Sequence, residues 1–277
     1  MRQAKVLGTA LKNKKSKVFQ KEAAKTESGA YFALSNGYDK LNSETDYSLW
    51  ASFIEKCFEK WSDIKIESVL DLGCGTGAMT FELCRRGYDM TGLDISCEML
   101  SVAKDTSDSL GMDGILWLCQ DMRSFELYGT VQGAVCCLDG INHLCGVRDL
   151  EKCLSLLHNY VEPGGVFVFD VNTPKKFAKF YGDNDYILED ENIMCCWQNE
   201  YDRRRGICTF YLTVFEKNDD GSWRRTDTEQ REKCYTRRKL EASLTAAGFE
   251  VCGFFGDFDF TEASDDDHRW YIVAKRL

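Results

Sequence analysis

Two features that could bind a ligand, a run of glycines and an acidic side chain, lie next to each other in this chain. The stretch SVLDLGCGTGAMT, residues 68–80, reads as an apolar strand, a glycine-rich turn and the start of a helix. Gly73, Gly75 and Gly77 would let a ligand approach the main chain closely because they carry no Cβ. Asp71 ends the strand, where it would repel a pyrophosphate but attract an ammonium or a sulfonium.

The glycine turn by itself leaves more than one ligand open. Gly73, Gly75 and Ala78 satisfy the dinucleotide pattern G-x-G-x-x-G/A, which keeps an NAD-dependent oxidoreductase among the alternatives. The turn lacks the Lys-Ser/Thr pair that a nucleoside triphosphate would require. The position of Asp71 at the mouth of the turn disfavours any phosphate there.

Acidic residues also end the next two predicted strands. Asp94 ends YDMTGLDIS, where a carboxylate can accept hydrogen bonds from both hydroxyls of an adenosine ribose. Asp121 and Met122 end ILWLCQDM, and they place an acid and a free backbone amide where an adenine edge could be bound. A ribose, an adenine and a cation without phosphate together describe S-adenosylmethionine.

The elements that must position these residues alternate regularly from Val69 onward. Near-continuous apolar strands are separated by helices predicted to begin near Thr76 and Ser96 and to run from Val147 to Tyr160. This alternation predicts an α/β fold with a doubly wound parallel sheet. The ligand is expected at the carboxyl ends of the central strands.

A different pattern follows Pro174. Extended runs between about Tyr181 and Tyr235, separated by glycine-containing turns, predict an inserted antiparallel meander. A helix that ends at Gly248 and two strands then complete the chain. The predicted units are a basic N-terminal tail over 1–30, a core with an N-terminal helical lid over 31–178 and 236–277, and an antiparallel β lid over 179–235.

Composition narrows the class of protein. The 277 residues carry a formal net charge of −10, which disfavours wrapping a nucleic-acid backbone. No apolar run is long enough for a membrane span, and the basic N-terminal segment lacks the continuous apolar region typical of a secretory signal, so neither is expected. The absence of C-x-x-C and the presence of only three histidines argue against a zinc site, so no metal is expected.

The cysteines favour a reducing, cytoplasmic location. Although the chain has fourteen, several fall in apolar strand-like runs, where a thiol packs as a small hydrophobe; these are Cys119, Cys136, Cys137, Cys208 and Cys252.

The motifs together resemble those of class I S-adenosylmethionine-dependent methyltransferases. VLDLGCGTG is similar to the first motif of that family, and GLDIS, QDMRSF and VEPGGVFVFD resemble the following motifs in order and spacing. The resemblance implies a Rossmann-like seven-stranded sheet whose last strand is antiparallel. It also implies that S-adenosylmethionine binds and leaves as S-adenosylhomocysteine, with Ile95 and Leu138 joining the cofactor residues named above.

Within that family, the chain is most similar to small-molecule N-methyltransferases, including those acting on amino sugars attached to nucleotides. The segment from Tyr31 to Trp50 resembles their lid, so Tyr31 and Trp50 could contact the substrate or only pack. Tyr38 could close over the methionyl part of the cofactor or touch the acceptor. His143, in the loop CCLDGINHL, is expected to face the transferable methyl and to contact the acceptor or remove its proton.

The sequence therefore predicts methyl transfer to a small molecule, with an amine as the expected acceptor. A tRNA or protein methyltransferase, and a module that binds the cofactor without catalysis, remain alternatives. No sequence feature fixes the oligomeric state.

Overall fold

The computed structural model describes residues 45–277, which form two β-sheets and five α-helices. In chain order the elements are α1 (Tyr47–Trp61), β1 (Ser68–Leu72), α2 (Ala78–Arg85), β2 (Asp89–Asp94), α3 (Cys97–Leu110), β3 (Leu116–Cys119), β4 (Val131–Cys136), α4 (Asp149–Tyr160), β5 (Val161–Asn172), β6 (Asp185–Glu189), β7 (Ile193–Asp202), β8 (Ile207–Lys217), β9 (Trp223–Lys233), α5 (Arg237–Ala246), β10 (Phe249–Phe255) and β11 (Arg269–Arg276). A short 3-10 helix, Gly140–His143, follows β4, and a π-helix, Lys176–Tyr181, follows β5.

The larger sheet has seven strands in the order β10-β11-β5-β4-β1-β2-β3. Strands β1 to β5 are parallel to their neighbours within this set, and β11 is antiparallel to both β5 and β10. The chain runs outward from β1 to β3 and then returns to the other side of β1 with β4. This reversal creates a crevice at the carboxyl ends of β1 and β4, where ligands bind in folds of this type. The predicted Rossmann-like, seven-stranded sheet is confirmed.

The core residues explain why the parallel strands form. Strand β1 is buried along almost its whole length, and so is β5 from Val166 onward, which is the pattern of a sheet covered on both faces. One apolar cluster packs α4 and α5 against one face, and a second packs α1 against the other. Burial of an aliphatic or aromatic side chain in such a core contributes about 1.5–3 kcal/mol.

The helices begin close to where the sequence predicts, and side chains cap α1, α3 and α5. Ser96 accepts a hydrogen bond from the N–H of Met99, and α3 begins one residue later. Asp46 caps α1 in the same way through the N–H of Leu49. Among residues 45–277, no helix combines the length and the apolar composition needed to cross a membrane.

The inserted meander forms a separate antiparallel sheet in the order β6-β7-β8-β9. The sequence predicts its three long strands, but it misses β6, which is only five residues long and polar at both ends. Phe177 and Tyr181 of the π-helix pack against Cys208 and Phe210 of β8. This contact fixes the small sheet beside the carboxyl end of β5.

Candidate active site

The glycine turn after β1 has the backbone geometry that the sequence predicts. Gly73, Gly75 and Gly77 all have left-handed backbone angles, with φ of 75°, 56° and 86°. A Cβ on Gly77 would lie 2.7 Å from Cη2 of Trp117, so no larger residue fits without movement. The N–H groups of Gly73 and Cys74 donate to the carbonyl of Leu93 at 2.7 and 3.0 Å, which ties the turn to the end of β2.

Asp94 lies at the carboxyl end of β2, directly beside this turn. Its Oδ2 accepts from the N–H of Gly75 at 2.8 Å, and its Oδ1 accepts from the N–H of Ser96 at 2.8 Å. Burial raises the pKa of Asp94, and these backbone hydrogen bonds oppose that rise. Each carboxylate oxygen keeps lone pairs for a further donor, as binding two ribose hydroxyls would require. Ile95, the next residue, is exposed at the same edge.

Asp71 lies beneath the turn, where the side chain is only 2% exposed. Thr80 Oγ1 donates to its Oδ2 at 2.5 Å. Burial raises the pKa of Asp71 to about 7, even though the hydrogen bond from Thr80 lowers it, and nearby Asp94 adds to the rise. A positive charge near the turn would favour the ionised form of Asp71.

The third predicted acid, Asp121, is held by a neighbouring cation. Its carboxylate forms an ion pair with Arg123, whose Nη2 lies 2.5 Å from Oδ2, and accepts from the N–H of Arg123 at 2.8 Å. Partial burial raises the pKa of Asp121, but the hydrogen bonds from Arg123 outweigh it and bring that pKa below its usual value. The Met122 side chain reaches the glycine turn, with its Cε 3.4 Å from the position of a Cβ on Gly73.

One expectation about the cysteines is wrong. Cys119 is not packed as a small hydrophobe; it is exposed and forms a disulfide with Cys97 at the start of α3. Strand pairing brings the two together. Cys119 of β3 lies opposite Asp94 of β2 in the sheet, and Cys97 follows Asp94 by three residues. The disulfide joins the Asp94 segment to the Asp121 segment. Of the other cysteines expected in the interior, Cys136 and Cys208 are buried, while Cys137 and Cys252 are partly exposed.

We expect the disulfide to show in a thiol count. Protein denatured without reductant should react with a thiol reagent at twelve cysteines, since twelve of the fourteen are free. After reduction the count should rise to fourteen. A C97S/C119S double variant is the control and should give the same count before and after reduction. Fourteen reactive thiols in the unreduced protein would contradict the assignment.

Beyond β4, the loop CCLDGINHL turns sharply toward the carboxyl end of β5. Leu138 and Asp139 are both left-handed, with φ of 56°, although neither is glycine. Such strained backbone is common at functional sites. The N–H of Asp139 donates to Asp170 Oδ2 at 3.0 Å, which holds the strained turn.

A polar cluster lies where this loop meets the antiparallel sheet; it comprises Asp139, His143, Asp170, Lys176, Glu232 and Arg269. Arg269 forms ion pairs with both Asp170 and Asp139, the latter with Nη2 and Oδ1 at 2.8 Å. Oxygens of Asp139 and Glu232 and a ring nitrogen of His143 all lie within 4.8 Å of one another. Burial lowers the pKa of His143 below its ordinary value, while Asp139 and Asp94 oppose that shift, so a neutral imidazole is favoured at pH 7.

Two buried asparagines join the cluster to the framework. The side chain of Asn142 accepts from the N–H of Asn172 at 2.9 Å and donates to the carbonyl of Lys233 at 2.8 Å. The amide of Asn172 donates to Glu232 at 2.9 Å and accepts from Lys176 at 2.7 Å. The loop after β4, the end of β5 and the end of β9 are therefore locked together.

Of the three aromatic residues singled out in the lid, Tyr31, Tyr38 and Trp50, only Trp50 lies within the described range. It is 3% exposed and packs against Phe258 and Tyr271, with ring centroids 5.7 and 5.6 Å away. Its position in the core favours the packing interpretation over contact with a substrate. Tyr31 and Tyr38 lie outside the described residues, as does the basic tail, so their roles stay predictions.

Sequence reasoning missed several residues of the polar cluster. Asp170 had a recognisable signal, since it is a single charge inside the apolar run VFVFDV. Glu232, Lys176 and Arg269 had none, because each is one of many charged residues in polar stretches. Only the folded arrangement distinguishes them.

Comparisons with known proteins agree with this geometry. A family model described as a methyltransferase domain matches residues 69–165. The crystal structure of an S-adenosylmethionine-dependent methyltransferase from Clostridium acetobutylicum superposes with a TM-score of 0.80 and is 28% identical, covering 89% of this chain and 98% of that one.

Two relatives in sequence add to this. The provisionally named methyltransferase YqeM of Bacillus subtilis is 29% identical over 247 residues, 89% of this chain and 97% of its own. A dTDP-3-amino-3,6-dideoxy-alpha-D-glucopyranose N,N-dimethyltransferase from Streptomyces fradiae is 27% identical over 193 residues, 68% of this chain and 71% of its own. Both similarities extend well beyond the glycine turn.

Proposed function

Because the chain is an S-adenosylmethionine-dependent methyltransferase, we propose that its methyl acceptor is a small molecule that reacts through an amine. The observation that carries this proposal is the polar cluster between the crevice and the antiparallel sheet. It combines a neutral histidine with carboxylates, which suits a nitrogen nucleophile that must lose a proton before it attacks.

The cofactor side of the site fits S-adenosylmethionine. The left-handed glycine turn leaves room for close approach, Asp94 offers two carboxylate oxygens to a ribose, and a bound sulfonium would favour the ionised form of buried Asp71 nearby. When bound, the cofactor supplies a methyl group on a positively charged sulfur. Gly73, Gly75, Gly77, Ile95, Asp121, Met122 and Leu138 complete the proposed cofactor-binding set.

In the proposed mechanism, the chain contributes position and proton handling. His143 accepts the proton of the acceptor nitrogen at a ring nitrogen, leaving a lone pair for in-line displacement. Alignment of nucleophile and methyl can contribute about 7–11 kcal/mol of the barrier reduction. We propose that the antiparallel sheet, together with Tyr38 and Tyr31 of the N-terminal segment, covers the acceptor and excludes water.

The contact of the antiparallel sheet with the His143 loop and the net charge of the chain favour a small-molecule acceptor over RNA or protein. Strand β9 closes on the loop that carries His143 through hydrogen bonds from Asn142 and Cys145. The chain as a whole is acidic, whereas a nucleic-acid partner needs clustered basic residues. Among the relatives, the Streptomyces fradiae enzyme is named for methylating an amino sugar linked to a nucleotide, which supports an amine acceptor here.

The test is to identify the methylated product. Purified protein is incubated with methyl-labelled cofactor and a cell extract, and the label that passes a size filter is measured first without digestion and then after ribonuclease or protease. We expect the label in a small, filterable molecule that binds a cation exchanger at acidic pH, as an amine would. An incubation with excess S-adenosylhomocysteine is the control and should suppress labelling. Label that passes the filter only after ribonuclease or protease digestion, or that is found in a neutral O-methylated product, would overturn the proposal.

A further inference from the structure

Polar side-chain atoms of three residues in the polar cluster surround one point. Atoms of Asp139, His143 and Glu232 lie within 4.8 Å of one another. A point between three atoms so spaced is no more than about 2.8 Å from each, the length of a short N–H···O hydrogen bond. A nitrogen that carries several protons could therefore donate to all three residues at once.

The charges of the cluster leave a place for one positive charge. Asp139, Asp170 and Glu232 supply three carboxylates, and Arg269 and Lys176 supply two cations. With all these groups ionised, one negative charge is uncompensated. Asp170 Oδ1 is also fully buried and has no hydrogen-bond partner among residues 45–277, so the cluster has spare capacity to accept hydrogen bonds.

We propose that Glu232 of the antiparallel sheet, with Asp139 and His143, binds the acceptor nitrogen as an ammonium and so selects protonated amines. This inference rests on the proposed function and adds a specificity residue to it. Glu232 is 5% exposed, and its Oε2 is fixed by Asn172 Nδ2 at 2.9 Å, so its carboxyl is held in place before any acceptor arrives. The antiparallel sheet thus supplies a binding group as well as a cover.

The proton balance follows from the same residues. The bound ammonium gives one proton to His143, and the nitrogen lone pair so freed forms the bond to the methyl group as the methyl–sulfur bond breaks. The electron pair of that bond stays on the sulfur, which becomes a neutral thioether. The product nitrogen carries the positive charge, so Glu232 and Asp139 remain next to a cation throughout.

The state of Glu232 before binding gives a second observable. Burial, and next the charge of Asp139, raise the pKa of Glu232 well above its usual range, which favours the protonated carboxyl when no cation is bound. An arriving ammonium favours the carboxylate, and binding should release that proton to the buffer. The titratable groups that face Glu232 are Asp139, His143, Cys145, Lys176, Tyr181 and Cys208.

A divalent metal ion is the competing occupant of the same three atoms. Carboxylate and imidazole groups are suitable ligands for several metals. The charge count disfavours this occupant, because two positive charges would leave the cluster with an excess of one. The presence of Arg269 and Lys176 in the cluster therefore favours a monovalent cation.

The test uses propylammonium as the probe and 1-propanol as its neutral counterpart, each titrated calorimetrically into the full-length protein saturated with S-adenosylhomocysteine. We expect propylammonium to bind at least about tenfold more tightly than propanol. E232Q should remove that preference while leaving affinity for S-adenosylhomocysteine within about twofold. Gln keeps an oxygen for Asn172, so the variant should fold. Titrations in two buffers of different ionisation enthalpy should show proton release in the wild type but not in E232Q.

The matched control is E229Q, which changes an acid on the same strand that pairs with Arg231. It should keep the full preference for propylammonium.

An unchanged preference in E232Q would overturn the proposal, as would Mn²⁺ binding that depends on Glu232 without any preference for the ammonium. An amine methylated with unchanged kcat/KM by E232Q would refute the role of Glu232 and leave the proposed function standing. Suppose that the preference for propylammonium depends on Glu232 but methyl transfer occurs only to oxygen or carbon. That result would support the cation subsite and refute the proposed function.

Discussion

Replacing Asp94 with alanine is expected to weaken binding of S-adenosylmethionine and S-adenosylhomocysteine by about ten- to a hundredfold. A hydrogen bond to a charged group contributes about 1.5–3 kcal/mol, and each 1.4 kcal/mol is a factor of ten in affinity. The substitution also removes the acceptors for the N–H groups of Gly75 and Ser96, which position the turn. Calorimetric titration with S-adenosylhomocysteine measures the effect without needing an acceptor.

The same strand offers a control for this experiment. Asp89 begins β2 at the opposite end and is exposed, so D89A should leave the dissociation constant within about twofold. D94N should lose less affinity than D94A, because its amide oxygen can still accept one of the hydrogen bonds. A dissociation constant for D94A equal to that of the wild type would refute the placement of the ribose at Asp94.

Replacing Arg269 with alanine is expected to lower the free energy of unfolding by about 3–5 kcal/mol. The side chain of Asp170 is completely buried and forms an ion pair with Arg269, which also pairs with Asp139. Loss of the cation leaves a buried carboxylate without compensation, which costs far more than loss of a surface pair. Urea unfolding at pH 7, followed by circular dichroism, gives the difference.

Lys275 provides the matched control, since it lies on the same strand and also pairs with two carboxylates, those of Asp63 and Glu250. Both partners are exposed, so K275A should cost no more than about 1 kcal/mol. Adding D170N to R269A should recover part of the lost stability, because the buried charge is then gone. Equal losses in R269A and K275A would show that the buried pair does not stabilise the fold as we infer.

The glycine turn and the acidic strand ends proposed to hold the cofactor could be singled out from sequence because their geometry is local. A strand, a turn with three left-handed glycines and a helix follow one another within residues 68–85, so the residues that build the turn also identify it. Asp94 and Asp121 could be assigned in the same way, since each follows an apolar strand. The parallel sheet itself follows from the alternation of apolar strands and amphipathic helices.

Features that depend on which strands become neighbours in the sheet could not be predicted from the local sequence pattern. The disulfide between Cys97 and Cys119 requires β3 to lie beside β2 with Cys119 opposite Asp94. Strand β6 is short and polar at its ends, and it exists because it pairs with β7. The hydrophobic periodicity of a segment does not predict the pairing of Cys97 with Cys119 or that of β6 with β7.

The sequence by itself therefore determined the fold class and the place proposed for the cofactor, since both follow from short-range backbone and burial patterns. Only the tertiary structure assembled the polar cluster that we propose as the acceptor side. There, Arg269 reaches Asp139 across 130 positions, and Glu232 comes from a strand of a different sheet. The physical reason is that a buried charge is stable only beside its partners, and packing between distant segments decides which partners those are.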